Sequence, residues 1–391
     1  MEFEETDRPD ISAEAMTVRV ILFFVTVAGL LLCNDTISLA QQSPIVLERA
    51  DLLRTETGPN GPIRYLDGNV WITQDTLSVT CEHATYEEEP GRLFFKEDVH
   101  FVEPGRQIWA DQAIYYERDG RATAEGNVRI AQDSLLIFCD RVVYTEAREE
   151  ALFYGNVEIH SLPENAVMTG DHGIYNRPRE HGMLTISPRM IRRFDESDSL
   201  VVSGLCIEYF FAEKRAVVLD SVEVERGAFH AWGQELYYWD DQEHARLLGD
   251  PIIEHGRDVL RADTVDAYFS DKVLDRIILT GQAVATSPVD SLFPLPKNIM
   301  TGQRIEISFI GDEVDSIHVQ GNATSTYFLR EKGEKKGANR VSGDIIDIWI
   351  SEGRIAWIYV EGGTEGVYYP QHLERRALAD EEGLPVLGRE P

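Results

Sequence analysis

Apolar and polar residues alternate along most of this chain in short runs, and the runs repeat. In "LLIFCDRVVY", residues 135–144, Leu135, Ile137 and Cys139 alternate with their neighbours, and the alternation then resumes out of phase at Val142 and Tyr144. Alternation with a period of two marks a half-buried strand, because successive side chains leave opposite faces. The same slip recurs from Cys81 to Ala84 and from Ala110 to Ala113. Each strand is therefore expected to bend or bulge at its small residue and to carry an inward face on both sides of the bend. Turn signals separate the runs: "EEEPGR" at 87–92, "VEPGRQ" at 102–107, "ERDGR" at 117–121 and "AQDS" at 131–134. The pattern predicts an all-β chain, an antiparallel meander of long bent strands folded over into an elongated two-walled trough or jelly roll. No stretch after residue 40 reads as a long amphipathic helix.

Two interleaved columns keep the strands in step. The first is a small residue usually followed by an acid or amide: Cys81-Glu82, Ala110-Asp111, Cys139-Asp140, Gly170-Asp171, Gly204-Leu205, Gly233-Gln234, Ala262-Asp263, Gly302-Gln303 and Gly343-Asp344, at steps of 29, 29, 31, 34, 29, 29, 40 and 41 residues. The second reads "GNVWI" at Gly68, "EDVHF" at Glu97, "GNVRI" at Gly126, "GNVEI" at Gly155 and "DSVEV" at Asp220, with looser forms at Gly249, Gly281 and Gly321. Periodicity of this kind marks a repeat architecture of about nine two-strand units from about residue 45 to 370. At 4.7–4.9 Å per strand such a sheet is on the order of 85 Å long. The longer late steps are expected to be loops, the Pro-rich "TSPVDSLFPLPKN" at 286–298 and the polar "REKGEKKGANR" at 330–340.

The Gly-Asn-Val-x-Ile phrase, followed by a strand of the form D-x-L-x-x-x-[CA]-D that ends in Tyr, resembles the OstA-like family: the periplasmic lipopolysaccharide-transport proteins LptA and LptC and the amino-terminal domain of LptD. The resemblance covers about residues 65–285 and runs on more loosely through "GNATSTYF" and "GGTEGVYYP" to Pro370. It implies a β-jelly-roll whose hydrophobic interior holds the acyl chains of lipopolysaccharide and passes them towards the outer membrane, without catalysis and without a cofactor. This chain is longer than a simple bridge protein of that family. Open sheet edges would let it stack on other OstA-like proteins, or on itself, by strand addition.

Elementary chemistry agrees with that implication. Where two facing walls interdigitate, inward side chains form an ordinary sandwich core; where the walls splay, the same residues line a groove. The candidate groove residues are Val70, Ile72, Val99, Phe101, Val128, Ile130, Val157 and Ile159, with Tyr115 and Tyr144 on the other strand of the unit; Val222, Val224, Tyr86 and Tyr175 continue the columns. Burying a methylene gains about 0.8 kcal/mol, so such a groove binds acyl chains without specific polar contacts. Plain core packing is the competing explanation for each residue taken singly. A structural or adhesion β-solenoid of the cell envelope is the competing function. A carbohydrate-cleaving β-helix has shorter coils and a local acid cluster, whereas these acids are spread along the chain.

Charge narrows the partners. The formal net charge of −31 excludes phosphate-backbone binding to nucleic acid. Lipopolysaccharide is anionic too, so repulsion has to be limited by placing acyl chains inside and phosphates in solvent, with divalent cations between. A salt-adapted source would equally explain the acidic surface. The acidic column does not keep a metal-ligand set, since it also holds Leu205, Gln234 and Gln303, and the ten histidines are scattered without an HExxH or paired CxxC pattern, which favours surface or loop positions. No GxSxG elbow, P-loop or dinucleotide fingerprint is present, and neither an enzyme nor a metal site is expected.

The amino terminus is a separate matter. From Val20 to Leu32, thirteen uncharged residues follow Arg19 and precede Ser38-Leu39-Ala40, the small-x-small form that signal peptidase cuts. Residues 1–40 thus read as a secretory signal cleaved before Gln41, which places the protein in the periplasm; an uncleaved inner-membrane anchor is the alternative, though the run is short of the roughly 20 residues that span a bilayer. The fifteen residues before Met16 carry six acids and one base, the wrong sign for a signal, and point to Met16 as the start. Residues 41–370 form the repeat domain and 371–391 a polar tail. Cys81 and Cys139 hold equivalent places two units apart, roughly 19 Å in a flat meander. Both are expected to be free thiols, as is Cys206, because a disulfide needs Cα atoms within roughly 7 Å.

Overall fold

The computed structural model describes residues 45–379 except 133, 163–164, 195–197, 271–272, 291–292, 312, 332–333 and 352–353. The expected secretory signal, its expected cleavage point and the expected start at Met16 lie outside the described residues, as do residues 380–391 of the expected tail. The strands in chain order are β1 (Val46–Arg49), β2 (Leu52–Gly58), β3 (Gly61–Gln74), β4 (Leu77–Glu87), β5 (Arg92–Glu103), β6 (Arg106–Tyr116), β7 (Arg121–Gln132), β8 (Leu135–Thr145), β9 (Glu150–Ser161), β10 (Ala166–Asn176), β11 (His181–Thr185), β12 (Arg189–Arg193) and β13 (Ser199–Ser203). They continue as β14 (Cys206–Phe210), β15 (Arg215–Arg226), β16 (Phe229–Trp239), β17 (His244–Leu248), β18 (Ile252–His255), β19 (Asp258–Arg261), β20 (Thr264–Ser270), β21 (Val273–Asp290), β22 (Phe293–Ile310), β23 (Glu313–Glu331), β24 (Glu334–Ser351), β25 (Arg354–Glu361) and β26 (Glu365–Tyr369).

These 26 strands form one antiparallel sheet. Six pairs of short strands are single crossings interrupted at the bend: β1 and β2 both lie along β3, β11 and β12 along β10, β13 and β14 along β15, β17 and β18 along β16, β19 and β20 along β21, and β25 and β26 along β24. Counted as crossings, the sheet has ten two-strand units and a length of about 90 Å. The nine units read from the small-residue column are joined by a tenth at Ala50-Asp51.

The bend has a specific chemistry. Ten times among the described residues, two consecutive residues adopt positive φ: Gly68-Asn69, Glu97-Asp98, Gly126-Asn127, Gly155-Asn156, Ile186-Ser187, Asp220-Ser221, Gly249-Asp250, Gly281-Gln282, Gly321-Asn322 and Gly362-Gly363. Asp67 pairs with His83 and Val70 with Cys81, so Gly68 and Asn69 oppose the single residue Glu82. Two residues against one is a β-bulge, which bends a strand and flips its parity. The expectation placed the bulge at the small residue. The structure places the left-handed pair on the Gly-Asn column instead and the small residue next to the one that opposes it, because Gly and Asn tolerate positive φ where most side chains clash.

The acidic column now has a structural explanation. Asn69, Asn127 and Asn156 donate from Nδ2 to Asp51, Asp111 and Asp140 at 2.8, 2.9 and 2.9 Å. Each of these aspartates sits on the preceding crossing, beside the Gly of the bulge. A Cβ at Gly155 would overlap the Asp140 carboxylate, on top of the strain of φ +71°. Gly155→Ala is therefore expected to lower unfolding free energy by about 2–3 kcal/mol, measured by urea denaturation. Gly256→Ala, at φ +61° with nothing within 4 Å of an added Cβ, is expected to cost about 1 kcal/mol. Equal losses at the two sites would remove the carboxylate overlap as a cause.

Each bulge divides a crossing into two halves, and the halves stack into two facing walls. The first wall carries Leu66, Ala84, Leu93, Phe95, Ala113, Ala124, Val142 and Phe153; the second carries Val70, Ile72, Val79, Val99, Val128, Ile130 and Val157, and all fifteen pack in one buried cluster. A second cluster continues the same layout from Ala166 to Ile348.

The two expected late loops are strands. Ser287 pairs with Asn298 and Pro288 with Lys297 in β21 and β22, and Ala338 to Arg340 in β24 pair with both β23 and β26. Proline enters this ladder where the register shifts, between Pro288 and Asp290, a position that spares its missing N–H. The extension has its own small core: Phe328 and Ala338 are buried against Ala377 of a short helix, α1 (Glu374–Ala379). Asn298 Oδ1 accepts a 3.0 Å hydrogen bond from the Phe328 backbone N–H. Among the described residues no helix is long and apolar enough to cross a membrane.

Candidate functional site

The interior differs between the two ends of the sheet. From β21 to β24 the walls meet without a gap: Leu279, Ala283, Ile305, Val319, Ala323 and Ile346 are all 0% exposed. From β1 to β14 the same layout encloses a cavity of about 810 Å³, within the range of ligand pockets. Side-chain size accounts for the contrast. Along the cavity the first wall is studded with small residues, Ala113, Ala122, Ala124, Ala151, Gly173 and Gly182, while the filled end carries Ile277, Leu279, Ile305, Ile307, Ile317 and Val319 on that wall.

The expected site residues divide into two layers. Ile72, Phe101, Ile130 and Ile159 on the second wall line the cavity, and Tyr115 and Tyr144 line it from the first wall. Val70, Val99, Val128 and Val157, each 1% exposed, lie one layer deeper. Each of the four directly follows a bulge pair and packs in the fold between the walls; none of them lines the cavity. Residues not singled out from sequence complete the lining, among them Phe95, Ile108, Ile137, Phe153, Met168, Tyr209 and Phe211.

Tyrosine forms a ladder along the first wall. Tyr115 pairs with Leu93 and Ala122, Tyr144 with Ala122 and Ala151, Tyr175 with Ala151 and Gly182, Tyr209 with Gly182 and Ala216, and Tyr238 with Ala216 and Ala245. A large ring thus alternates with a small or short neighbour. Tyr209 and Tyr238 continue the column of Tyr86, Tyr115, Tyr144 and Tyr175, and the signal for them was available: each lies five residues after the small residue of its unit, Gly204 and Gly233. Burial pushes the Tyr115 phenol up to about 12, aided by Glu146, whose Oε1 accepts its hydroxyl at 3.1 Å. Burial likewise raises Tyr175 to about 12. The rings are neutral at physiological pH and present an apolar face with a polar tip.

Little else among the described residues looks reactive. Cys81, Cys139 and Cys206 are free, and burial raises their thiols to about 11, 12 and 11, which suppresses the nucleophilic thiolate. His244 departs from the expected surface position: it is buried on the first wall, its ring stacked between Trp239 and Tyr268, and its Nε2 lies 2.7 Å from Asp266 Oδ1. Arg246 donates to the same oxygen at 2.6 Å. Among the described residues no group of three or more His, Cys, Asp or Glu side chains is placed to hold a metal ion. The chemistry on offer is apolar binding.

Comparisons with known proteins bear on the same segment. No curated protein matches the chain. Among solved structures, the chain is similar to LptH, the LptA-homologous periplasmic component of the lipopolysaccharide transport device from Pseudomonas aeruginosa, at 17% identity over 34% of this chain and 76% of that one, with a TM-score of 0.19. A family model described as LptA/(LptD N-terminal domain) LPS transport protein matches residues 107–273, from β6 to the start of β21. Over residues 107–273, therefore, the chain is similar to the LptA/LptD amino-terminal-domain family of lipopolysaccharide transport proteins.

Proposed function

We propose that this chain binds lipopolysaccharide in the periplasm by sheltering its acyl chains between the two walls, and hands it on towards the outer membrane. The observation that carries this reading is the apolar cavity of about 810 Å³ between β1 and β14, lined by Ile72, Phe101, Ile108, Ile130, Ile137 and Ile159. A sandwich core of natural packing density leaves no such space, and an unfilled apolar groove loses the contacts that a hydrocarbon chain would restore. The match to a family of transport proteins over residues 107–273 agrees with transport as the role. The sugar and phosphate portion stays in solvent, away from a chain of net charge −31.

The two sheet edges supply the means of joining partners. Among the described residues, β1 and β2 pair only with β3, and β25 and β26 pair only with β24. Both edges expose apolar side chains, Leu52 and Leu53 at one and Trp357 and Tyr368 at the other. Unpaired strands of this kind accept a further strand from a related domain or a second copy. Native mass spectrometry of the chain purified from an envelope fraction tests the function: bound lipopolysaccharide or its acylated fragments are the expected result. Protein that carries no lipid from such a fraction, and captures none from added lipopolysaccharide, would leave the scaffold explanation standing.

A further inference from the structure

The filled end of the sheet is also taller than the rest. β21, β22, β23 and β24 have 18, 18, 19 and 18 residues, whereas β4 to β10 have 11 or 12 each. The added residues lengthen the strands at both ends, by roughly 10–13 Å at each. On the second wall the lengthened ends form two hairpins, β21–β22 and β23–β24, which lie side by side because β22 pairs with β23. Asn298 ties them together by accepting the Phe328 N–H. Val289 of the first hairpin packs with Phe328 and Ala338 of the second, Tyr369 of β26 and Ala377 of α1, so the pair is braced. Neither hairpin serves the groove, whose lining reaches no further along the chain than Phe211.

We propose that the second-wall ends of β21–β24 dock the chain on an anionic phospholipid surface, their basic residues against the phosphates. Three of the chain's seven lysines, Lys297, Lys335 and Lys336, lie in these ends together with Arg330 and Arg340, in a protein of net charge −31. Arg330 stands directly opposite Lys335 in the ladder; like charges at opposed positions destabilise a strand pair, and an external anion relieves the repulsion. The other hairpin opens β22 with Phe-Pro-Leu-Pro at 293–296. Beside them Tyr368, 57% exposed, donates its hydroxyl to the Lys336 carbonyl at 2.7 Å. Lysine, tyrosine and a short apolar segment are the classes of residue that hold a protein in the headgroup layer of a bilayer. The first-wall ends of the same strands carry acids, Glu313 among them, which assigns the anionic partner to the second wall. The hairpins reach past the earlier crossings by more than the Debye length of about 8 Å at physiological salt. The acids of those crossings are therefore largely screened from a surface that the hairpins touch. This docking surface is separate from the groove and does not depend on what the groove holds.

The test is flotation of residues 41–391, the product expected of signal cleavage, with vesicles of phosphatidylcholine alone or mixed with an equal part of phosphatidylglycerol. The chain is expected to float with the mixed vesicles and not with the neutral ones, and to float less as salt is raised. Each basic residue near an anionic bilayer is worth about fivefold in affinity, so Lys297→Glu with Lys336→Glu is expected to weaken binding to mixed vesicles at least roughly twentyfold. Lys96→Glu with Lys214→Glu makes the same change of charge outside the hairpins and is expected to weaken it only slightly. Circular dichroism accompanies each variant; if the first pair does not fold, Lys297→Glu with Lys335→Glu takes its place. Equal flotation with neutral vesicles, or none with either kind, overturns the docking surface. So does a folded hairpin variant that floats as the unaltered chain does, or an equal loss from the Lys96 and Lys214 pair. Lipopolysaccharide capture is read separately by native mass spectrometry, so either reading can fail without the other.

Discussion

Ile305→Ala is expected to cost the fold about 2–5 kcal/mol, while Ile159→Ala, the same chemical change in the other half of the molecule, costs under about 2 kcal/mol. Ile305 is 0% exposed, and it pairs with Leu279 and Val319, which are equally enclosed. Deleting its branched end leaves a void that these two packed neighbours cannot close, so a cavity penalty adds to the lost transfer energy. Ile159 is half-buried and faces a space that already exists. Shortening it enlarges the groove without creating a new void. Urea denaturation of the two variants makes the comparison, and stability concentrated in β21 to β24 is the predicted result. Comparable losses would mean that in solution the walls close over Ile159, and the groove would then have to be a packed core.

Much of this architecture was written in the chain. The phase slip in "LLIFCDRVVY" located the bend to within a residue or two, because a bulge is the only local way for a strand to keep an inward face while changing parity. Val128 and Ile130, which the alternation put on the inward face beyond the bend, are both buried. What the alternation cannot express is what stands across the trough. Inward columns run the whole length of the chain, and they become groove or core according to the combined volume of two walls that are distant in sequence. Ala113 and Ala124 look like ordinary small core residues until the space opposite Ile108 and Ile130 is left unfilled. The late strands misled for a different reason: proline and a run of charges read as loop, yet Ala338 inside the second of these segments, with Phe328 just before it, anchors the extended hairpin against α1. The corner at Ile186-Ser187 lacks the Gly-Asn wording altogether, so the unit between Gly170 and Gly204 showed only one of its two columns.

The largest effect on binding is expected from placing charge on the groove floor. Ile130 and Ile159 lie on either side of Ile137, each paired with it across the second wall, and all three line the cavity. Ile130→Asp with Ile159→Asp puts two carboxylates beneath the path of an acyl chain. Ile159 is half-buried and Ile130 is 8% exposed, so in the empty groove the carboxylates keep only part of their water; with hydrocarbon in place they lose the rest and gain no partner. At roughly 1–3 kcal/mol for each polar group stripped of water, lipid capture is expected to fall by at least roughly thirtyfold, read by photo-crosslinking or native mass spectrometry after circular dichroism has established folding. The substitutions also make the protein more negative by two charges, which by itself repels an anionic lipid. Arg129→Ala with Arg141→Ala changes the charge by the same amount on the exposed outer face, where the two guanidinium groups lie over Trp109 and Tyr154. That pair is expected to capture lipid nearly as well as the unaltered chain. A folded aspartate variant that still takes up lipid normally would refute the inward assignment of this column, and an equal loss in the arginine pair would transfer the effect from the groove to the field of the whole protein.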